Sequence, residues 1–205
     1  MRNLYCNVEA LRKQVFAAVA KLAYEGGDYC SRMEKLPYEI IPGEVGTYRE
    51  SIFLERAIVG ERIRLAMGLP LRDVTEENMI SDGVEASAIS EKYYDPPLIN
   101  IIKFACNGCA EKRVMVTEGC QGCLAHPCVE VCPKGAITLD RYNGRSIIDP
   151  EKCIKCGRCA EVCSYHAIIT QERPCAAACG MDAISTDING KAEIDYDKCV
   201  SCGQC

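Results

Sequence analysis

Seventeen of the 205 residues are cysteine, and fifteen of those lie between Cys106 and Cys205. Thiols at this density pair as disulfides, hold zinc, or ligate iron–sulfur clusters. Spacing separates the three. Cys153-Ile-Lys-Cys156-Gly-Arg-Cys159-Ala-Glu-Val-Cys163 has the form C-x2-C-x2-C-x3-C. Three thiolates this close on a tight loop wrap three corners of a cubane, while the fourth, a helical turn later, points toward a second cluster. Cys120-Gln-Gly-Cys123-Leu-Ala-His-Pro-Cys128-Val-Glu-Val-Cys132 repeats the arrangement with two extra residues between its second and third cysteines. A zinc ribbon uses two C-x2-C knuckles and stops at four ligands. Eight cysteines in two such runs exceed that need.

Cross-pairing is the rule for this spacing in bacterial ferredoxins. It assigns one 4Fe-4S cluster to Cys120, Cys123, Cys128 and Cys163, and a second to Cys153, Cys156, Cys159 and Cys132. The pattern then returns. Cys128-Val-Glu-Val-Cys132 reappears 47 residues later as Cys175-Ala-Ala-Ala-Cys179, and Cys153-Ile-Lys-Cys156-Gly-Arg-Cys159 as Cys199-Val-Ser-Cys202-Gly-Gln-Cys205. Asn143-Gly144 and Asn189-Gly190 each separate short β-prone stretches, as a type I′ hairpin turn requires. Internal repetition of this kind implies a third cluster on Cys179, Cys199, Cys202 and Cys205.

Three cysteines of the region remain. Cys106-Asn-Gly-Cys109 has no local partner, and Cys175 lacks the C-x2-C that should precede it. Nesting accounts for both: an inner ferredoxin, about 112–172, inserted into a loop of an outer unit made of about 98–111 and 173–205. Cys106, Cys109 and Cys175 then form an incomplete fourth site, whose last ligand is expected four residues beyond Cys205. The plainer alternative leaves Cys106 and Cys109 free or on an adventitious metal. His126 sits in the enlarged loop beside a ligand set already complete, and His166 stands where the first repeat has Gly135. The complete set leaves His126 no ligand role to fill, and His166 reads as a residue that packs beside a cluster or tunes it. Cys6 and Cys30 read as ordinary free thiols.

The elements that must position these thiols divide at about residue 97. Leu11, Val15, Val19 and Leu22 recur at helical spacing over 8–25, with Asn7 to cap the start and Gly26-Gly27 to stop it. A loop is expected next, punctuated by Pro37, Pro42, Gly43 and Gly46. Thr47-Tyr-Arg-Glu50 has capping-box form and opens a helix reaching Met67, which packs on the first through Ile52, Ile58 or Val59, Ile63 and Ala66. Residues 71–95 are polar with room for one short helix, Pro96-Pro97 interrupts, and Leu98–Phe104 reads as strand. The fold class is α+β: a helical region over 1–97, then a ferredoxin-type region over 98–205.

Bulk properties exclude several functions. A net charge of −5 and a pI near 5.2 lack the basic face of a nucleic-acid binder; steered partners should present positive surface. The start offers no apolar run of signal-peptide length, and the longest small-apolar stretch, Val15–Ala20, is far short of the ~20 residues a membrane helix needs. A reducing cytoplasm, where thiols serve metals rather than disulfides, is the expected setting. No acid–base pair, nucleophile or phosphate loop accompanies the cysteines, so no catalytic residue is assigned.

Residues 98–205 resemble bacterial dicluster ferredoxin domains. The chain also resembles, more narrowly, the N-terminal electron-relay region of monomeric FeFe-hydrogenases of anaerobic bacteria. Three segments carry that likeness: Ile41-Pro-Gly-Glu-Val-Gly-Thr-Tyr-Arg-Glu-Ser-Ile-Phe-Leu-Glu-Arg56, Thr117-Glu-Gly-Cys-Gln-Gly-Cys-Leu-Ala-His-Pro-Cys128 and Arg173-Pro-Cys-Ala-Ala-Ala-Cys-Gly180. The resemblance implies electron transfer between a redox partner protein and a catalytic domain farther along the chain. No H-cluster motif of that family is present, and the sequence stops inside a cluster motif, so a truncated relay is expected. A stand-alone polyferredoxin-type carrier is the alternative. A zinc-binding interaction protein, from another class, predicts a colourless product without sulfide.

Overall fold

The computed structural model describes residues 7–87 and 98–205; Cys6 and the Pro96-Pro97 pair lie outside them. The chain divides into two compact units, Met1–Ala105 and Cys106–Cys205.

In the first unit, helices α1 (Asn7–Glu25), α2 (Tyr29–Ile40) and α3 (Ile52–Ala66) pack around Leu11, Val15, Leu22, Met33, Leu36, Val59 and Ile63. The α1–α3 contact has the expected apolar set. Gly26 and Gly27 end α1 with φ of 63° and 90°, a region open to glycine at little cost. The loop expected over residues 28–46 is in part a helix instead. Asp28 accepts the Ser31 N–H at its start, and Met33, Leu36 and Pro37 are buried on one face. Pro37 is tolerated because it falls in the last turn. Its missing N–H removes one bond, while its carbonyl still accepts the Ile41 N–H at 3.0 Å.

The capping box is also different from the expectation. Helix α3 begins at Ile52, behind Ser51, and Glu50 is not its reciprocal cap. Glu55, fully buried, turns back instead: its Oε1 accepts the N–H groups of Thr47, Tyr48 and Arg49 at 2.6, 2.7 and 2.8 Å. Burial pushes the Glu55 carboxyl up, but those three donors hold it below the usual carboxylate range. Arg64 pins the polar segment that follows, through the carbonyls of Pro70, Ile80 and Asp82; among its described residues the short helix is one 3-10 turn, Val84–Ala86.

Leu98–Phe104 is not a strand. Its last residues enter a 3-10 turn, Lys103–Ala105. A strand needs a hydrogen-bonded neighbour, and among the described residues none pairs with this run.

The second unit is built from three two-stranded antiparallel ribbons. Strand β1 (Arg113–Val116) pairs with β4 (Ile168–Gln171), placing Val114 against Thr170 and Val116 against Ile168. Strand β2 (Ile137–Leu139) pairs with β3 (Ser146–Ile148), and β5 (Ile184–Thr186) with β6 (Ala192–Ile194). Three single-turn helices, α4 (Pro127–Glu130), α5 (Arg158–Glu161) and α6 (Pro174–Ala177), carry Cys128, Cys159 and Cys175. Strands this short are not independently stable. Their core is correspondingly small: Val114, Ile137 and Ile168 pack with Cys128 and Cys159.

The two Asn-Gly pairs do not form type I′ turns. That turn needs positive φ at both central residues, and only Gly144 (70°) and Gly190 (75°) have it. Longer loops result, closed by Asp140 N–H to Arg145 O at 2.8 Å and by Asp187 N–H to Lys191 O at 2.8 Å.

Candidate metal centres

The four C-x2-C pairs that open the cysteine runs, Cys106–Cys109, Cys120–Cys123, Cys153–Cys156 and Cys199–Cys202, share one backbone device. The residue just before the second cysteine is left-handed in each: Gly108 (66°), Gly122 (58°), Lys155 (58°) and Ser201 (53°). Such a φ is uncommon outside glycine, so Lys155 and Ser201 mark a conformation held by the loop. A second device follows the last cysteine of each x3 pair. Gly135 (56°), His166 (51°) and Asp182 (48°) are left-handed, and the N–H one residue later donates to sulfur. These bonds are Ala136 to Cys132 Sγ at 3.2 Å, Ala167 to Cys163 Sγ at 3.4 Å and Ala183 to Cys179 Sγ at 3.4 Å. His166 therefore shapes a ligand loop as Gly135 does. His126, at φ 40°, precedes α4.

The thiols of the inner region gather in two sets. One cavity is lined by Cys120, Cys123, Cys128 and Cys163, together with Ser146 and Ile168. Another is lined by Cys132, Cys153, Cys156 and Cys159, between Val114, Ile137 and Ile148. Each set draws three cysteines from one run and the last from the other. The donors ring a space rather than a point: among the described residues no three His, Cys, Asp or Glu side chains are grouped to hold a single metal ion. Four thiols around a cavity, with N–H groups aimed at sulfur, fit a cubane, whose potential such hydrogen bonds tune.

Electrostatics favours thiolate at two of these positions, Cys120 and Cys132. Burial pushes Cys120 up, but the N–H groups of Ser146 and Gly122, the Ser146 hydroxyl and the charge of Arg145 bring it below its ordinary value. Cys132 behaves alike, with Ala136, Lys134, Gly135 and Ile137 N–H groups outweighing burial. Cys159 is raised, first by burial and then by the nearby Cys153 and Cys156.

Around the third hairpin, Cys205 is raised by burial and by Cys175, Cys199 and Cys179. Cys202 is exposed. Cys106 sits against β5–β6 much as Cys120 sits against β2–β3. Burial pushes its thiol up, while N–H bonds from Ala192 and Gly108 and the Arg173 guanidinium draw it down. The same close approach underlies both loops: a Cβ would stand 2.8 Å from Gly144 O if added at Gly122, and 3.3 Å from Gly190 O if added at Gly108.

Two residues of these sites were not expected from the sequence. Arg173, 3% exposed, points Nη1 at Cys106 Sγ (3.7 Å) and donates from Nη2 to Cys109 O, Thr186 Oγ1 and Gly190 O at 2.8, 3.1 and 3.0 Å. Its position, two before Cys175, is filled by His126, Gly157 and Gly203 in the other loops, and that exchange was the available signal. Ser146 is the other: aligning the hairpins sets its hydroxyl against Ala192. Cys30 is exposed on α2 and lines neither cavity.

Residues 119–167 match the family described as the 4Fe-4S dicluster domain. An uncharacterized ferredoxin of Methanocaldococcus jannaschii is 42% identical over 67 residues, 31% of this chain and 43% of the relative. The polyferredoxin-like subunit of an aliphatic sulfonate oxidoreductase of Pyrococcus furiosus is 38% identical over 50 residues, 24% and 29% of the two chains. The thiosulfate reductase electron transfer subunit PhsB of Salmonella typhi is 43% identical over 51 residues, 25% and 26%. The matches thus span less than half of each of these relatives. Residues 119–167 therefore carry a ferredoxin-type 4Fe-4S dicluster domain. No helix of the described residues is long and apolar enough to cross a membrane.

Proposed function

We propose that the chain is a multi-cluster electron relay, with 4Fe-4S clusters on Cys120, Cys123, Cys128 and Cys163; on Cys153, Cys156, Cys159 and Cys132; and on Cys179, Cys199, Cys202 and Cys205. The observation that carries this reading is the lining of the two inner cavities, each by four thiols contributed from two separate runs. A 4Fe-4S group supplies one-electron chemistry when bound, at a potential set by its surroundings. The protein holds the sulfurs, aims N–H groups at them and keeps water from the inner faces with Val114, Ile137 and Ile168. Cys106, Cys109 and Cys175 make a fourth, partial site in a nested outer unit, supported by the matching seats of Cys106 and Cys120 on their hairpins.

The relay reading extends to a larger oxidoreductase, with catalysis on another domain or a partner. Relatives named as electron transfer and polyferredoxin-like subunits favour that arrangement. The sequence likeness over 41–56, 117–128 and 173–180 narrows it to an FeFe-hydrogenase-like enzyme, and a reducing cytoplasm is the setting proposed for it. A stand-alone polyferredoxin carrier is the competing reading.

Iron and acid-labile sulfide, counted after anaerobic reconstitution, test the proposal. About twelve of each per chain is expected, and about sixteen if the partial site fills. About eight confines the relay to the inner pair. Zinc without sulfide overturns it. Reading the coding sequence past Cys205 tests the hydrogenase arm: H-cluster cysteines support it, and their absence favours the carrier.

A further inference from the structure

Ser146 begins β3 and is 6% exposed. Its Oγ lies 3.2 Å from Cys128 Sγ, and its hydroxyl and backbone N–H both reach Cys120. One residue therefore addresses two of the four sulfurs that line its cavity. The same place in the third hairpin is Ala192, which offers Cys106 its N–H alone, at 3.4 Å. No residue lining the cavity of Cys132, Cys153, Cys156 and Cys159 carries a hydroxyl. The hydroxyl is thus an addition to a backbone device that the third hairpin has without it.

We propose that Ser146 raises the reduction potential of the cluster on Cys120, Cys123, Cys128 and Cys163 above the value its backbone donors alone would give. This rests on the relay reading. A ligating cysteine is a thiolate with no proton to offer, so the contact runs one way, hydroxyl to sulfur. A hydrogen bond to sulfur stabilises the more negative, reduced state more than the oxidised one. Burial strengthens the effect, because the donor acts where water does not screen it. An electron reaching the inner pair is thereby biased toward the Cys120 set. The second cavity, walled by Val114, Ala136, Ile137 and Ile148, has no such donor to oppose the bias.

The test compares the full chain with Ser146→Ala and Ser146→Thr, all reconstituted anaerobically. Each is read by iron and sulfide content, by redox titration, and by the exchangeable-proton couplings of the reduced clusters in H2O and D2O. Ser146→Ala is expected to keep full iron and sulfide, to move one titration wave to lower potential, and to lose one exchangeable coupling. Ser146→Thr, which keeps the hydroxyl, should restore both. Waves that all stay put, or all move together, overturn the proposal. So does a Ser146→Ala chain short of one cluster, since the hydroxyl is then needed for assembly rather than potential. A wild-type chain holding fewer than about eight iron defeats the relay reading itself, a different failure seen before any variant is compared.

Discussion

Arg173 Nη1 lies 3.7 Å from Cys106 Sγ although 67 residues separate them in the chain. The guanidinium is buried, and its hydrogen bonds go to one sulfur, one hydroxyl and two carbonyls rather than to a carboxylate. A buried cation needs compensating negative charge, and the thiol of Cys106 is the acidic group that the guanidinium touches. Arg173 ties the Cys106–Cys109 loop to the β5–β6 hairpin and holds a positive charge where thiolate is wanted.

Replacing Arg173 by Gln should therefore loosen the outer loop. It removes the charge-assisted donors to Cys109 O and Gly190 O, a loss on the order of 3 kcal/mol when buried acceptors are left unpaired. Arg173→Lys should recover little of this, because an ammonium cannot reproduce the planar fork. Denaturant midpoints of the reconstituted chain check it. Equal stability of Arg, Lys and Gln chains would mean the clamp carries no energy.

Glu55 predicts an acid limb for the first unit. Its folded carboxyl lies below its ordinary value, so it binds a proton more weakly folded than unfolded. Its contribution is fully present above the unfolded pKa and is lost as pH falls through the depressed folded one. Thermal melts of the helical signal should be flat near neutrality and drop in acid, below the usual carboxylate range. Glu55→Gln should be less stable at neutral pH and should show a weaker acid limb. A Gln chain with an unchanged limb would move the effect to other carboxylates.

Some of this was legible in sequence and some was not, for physical reasons. Thiol spacing is a local code: a C-x2-C loop presents two sulfurs within one turn of chain, and the sets inferred from it are those that line the two inner cavities. Helices α1 and α3 announced themselves by apolar period. Helix α2 did not, because Pro37 reads as a breaker unless the burial of Met33 and Leu36 is known. The run 98–104 looked like a strand because its composition says nothing about a partner. Ser146 and Arg173 belong to the sites through tertiary proximity alone. Neither carries a spacing signal, and only the comparison of repeats, Ser146 with Ala192 and Arg173 with Gly157, hints at them.

The glycines of the two seated loops should differ in their tolerance. Gly122 has φ 58° and its missing Cβ would lie 2.8 Å from Gly144 O, so Ala there meets both backbone strain and a backbone overlap. Gly108 has the same kind of φ but a 3.3 Å approach, which a small shift relieves. Strain of this type costs about 1–2 kcal/mol, before the overlap is counted. Gly122→Ala should reconstitute with about four fewer iron per chain, whereas Gly108→Ala should leave the inner pair loaded. Equal iron in both would mean the β2–β3 loop yields more easily than its packing implies.

Metal removal should separate the two units. The first holds its own apolar core of Leu11, Val15, Leu22, Met33, Val59 and Ile63, with no cysteine among its described members. The second has strands of three or four residues and a core in which Cys128 and Cys159 are themselves members. Once the groups that bind those sulfurs are gone, little apolar area remains to offset chain entropy, and metal affinity becomes folding energy. Iron chelation near neutral pH should abolish the protection of 106–205 in hydrogen exchange while amides of α1, α2 and α3 stay protected. The helical circular-dichroism signal should largely survive, and its melt should follow the first unit alone. If α1–α3 lose protection together with the cysteine region, the first unit depends on the second for its stability. If both stay protected, the cysteine region folds on its apolar contacts, and the sulfurs contribute sites without contributing the fold.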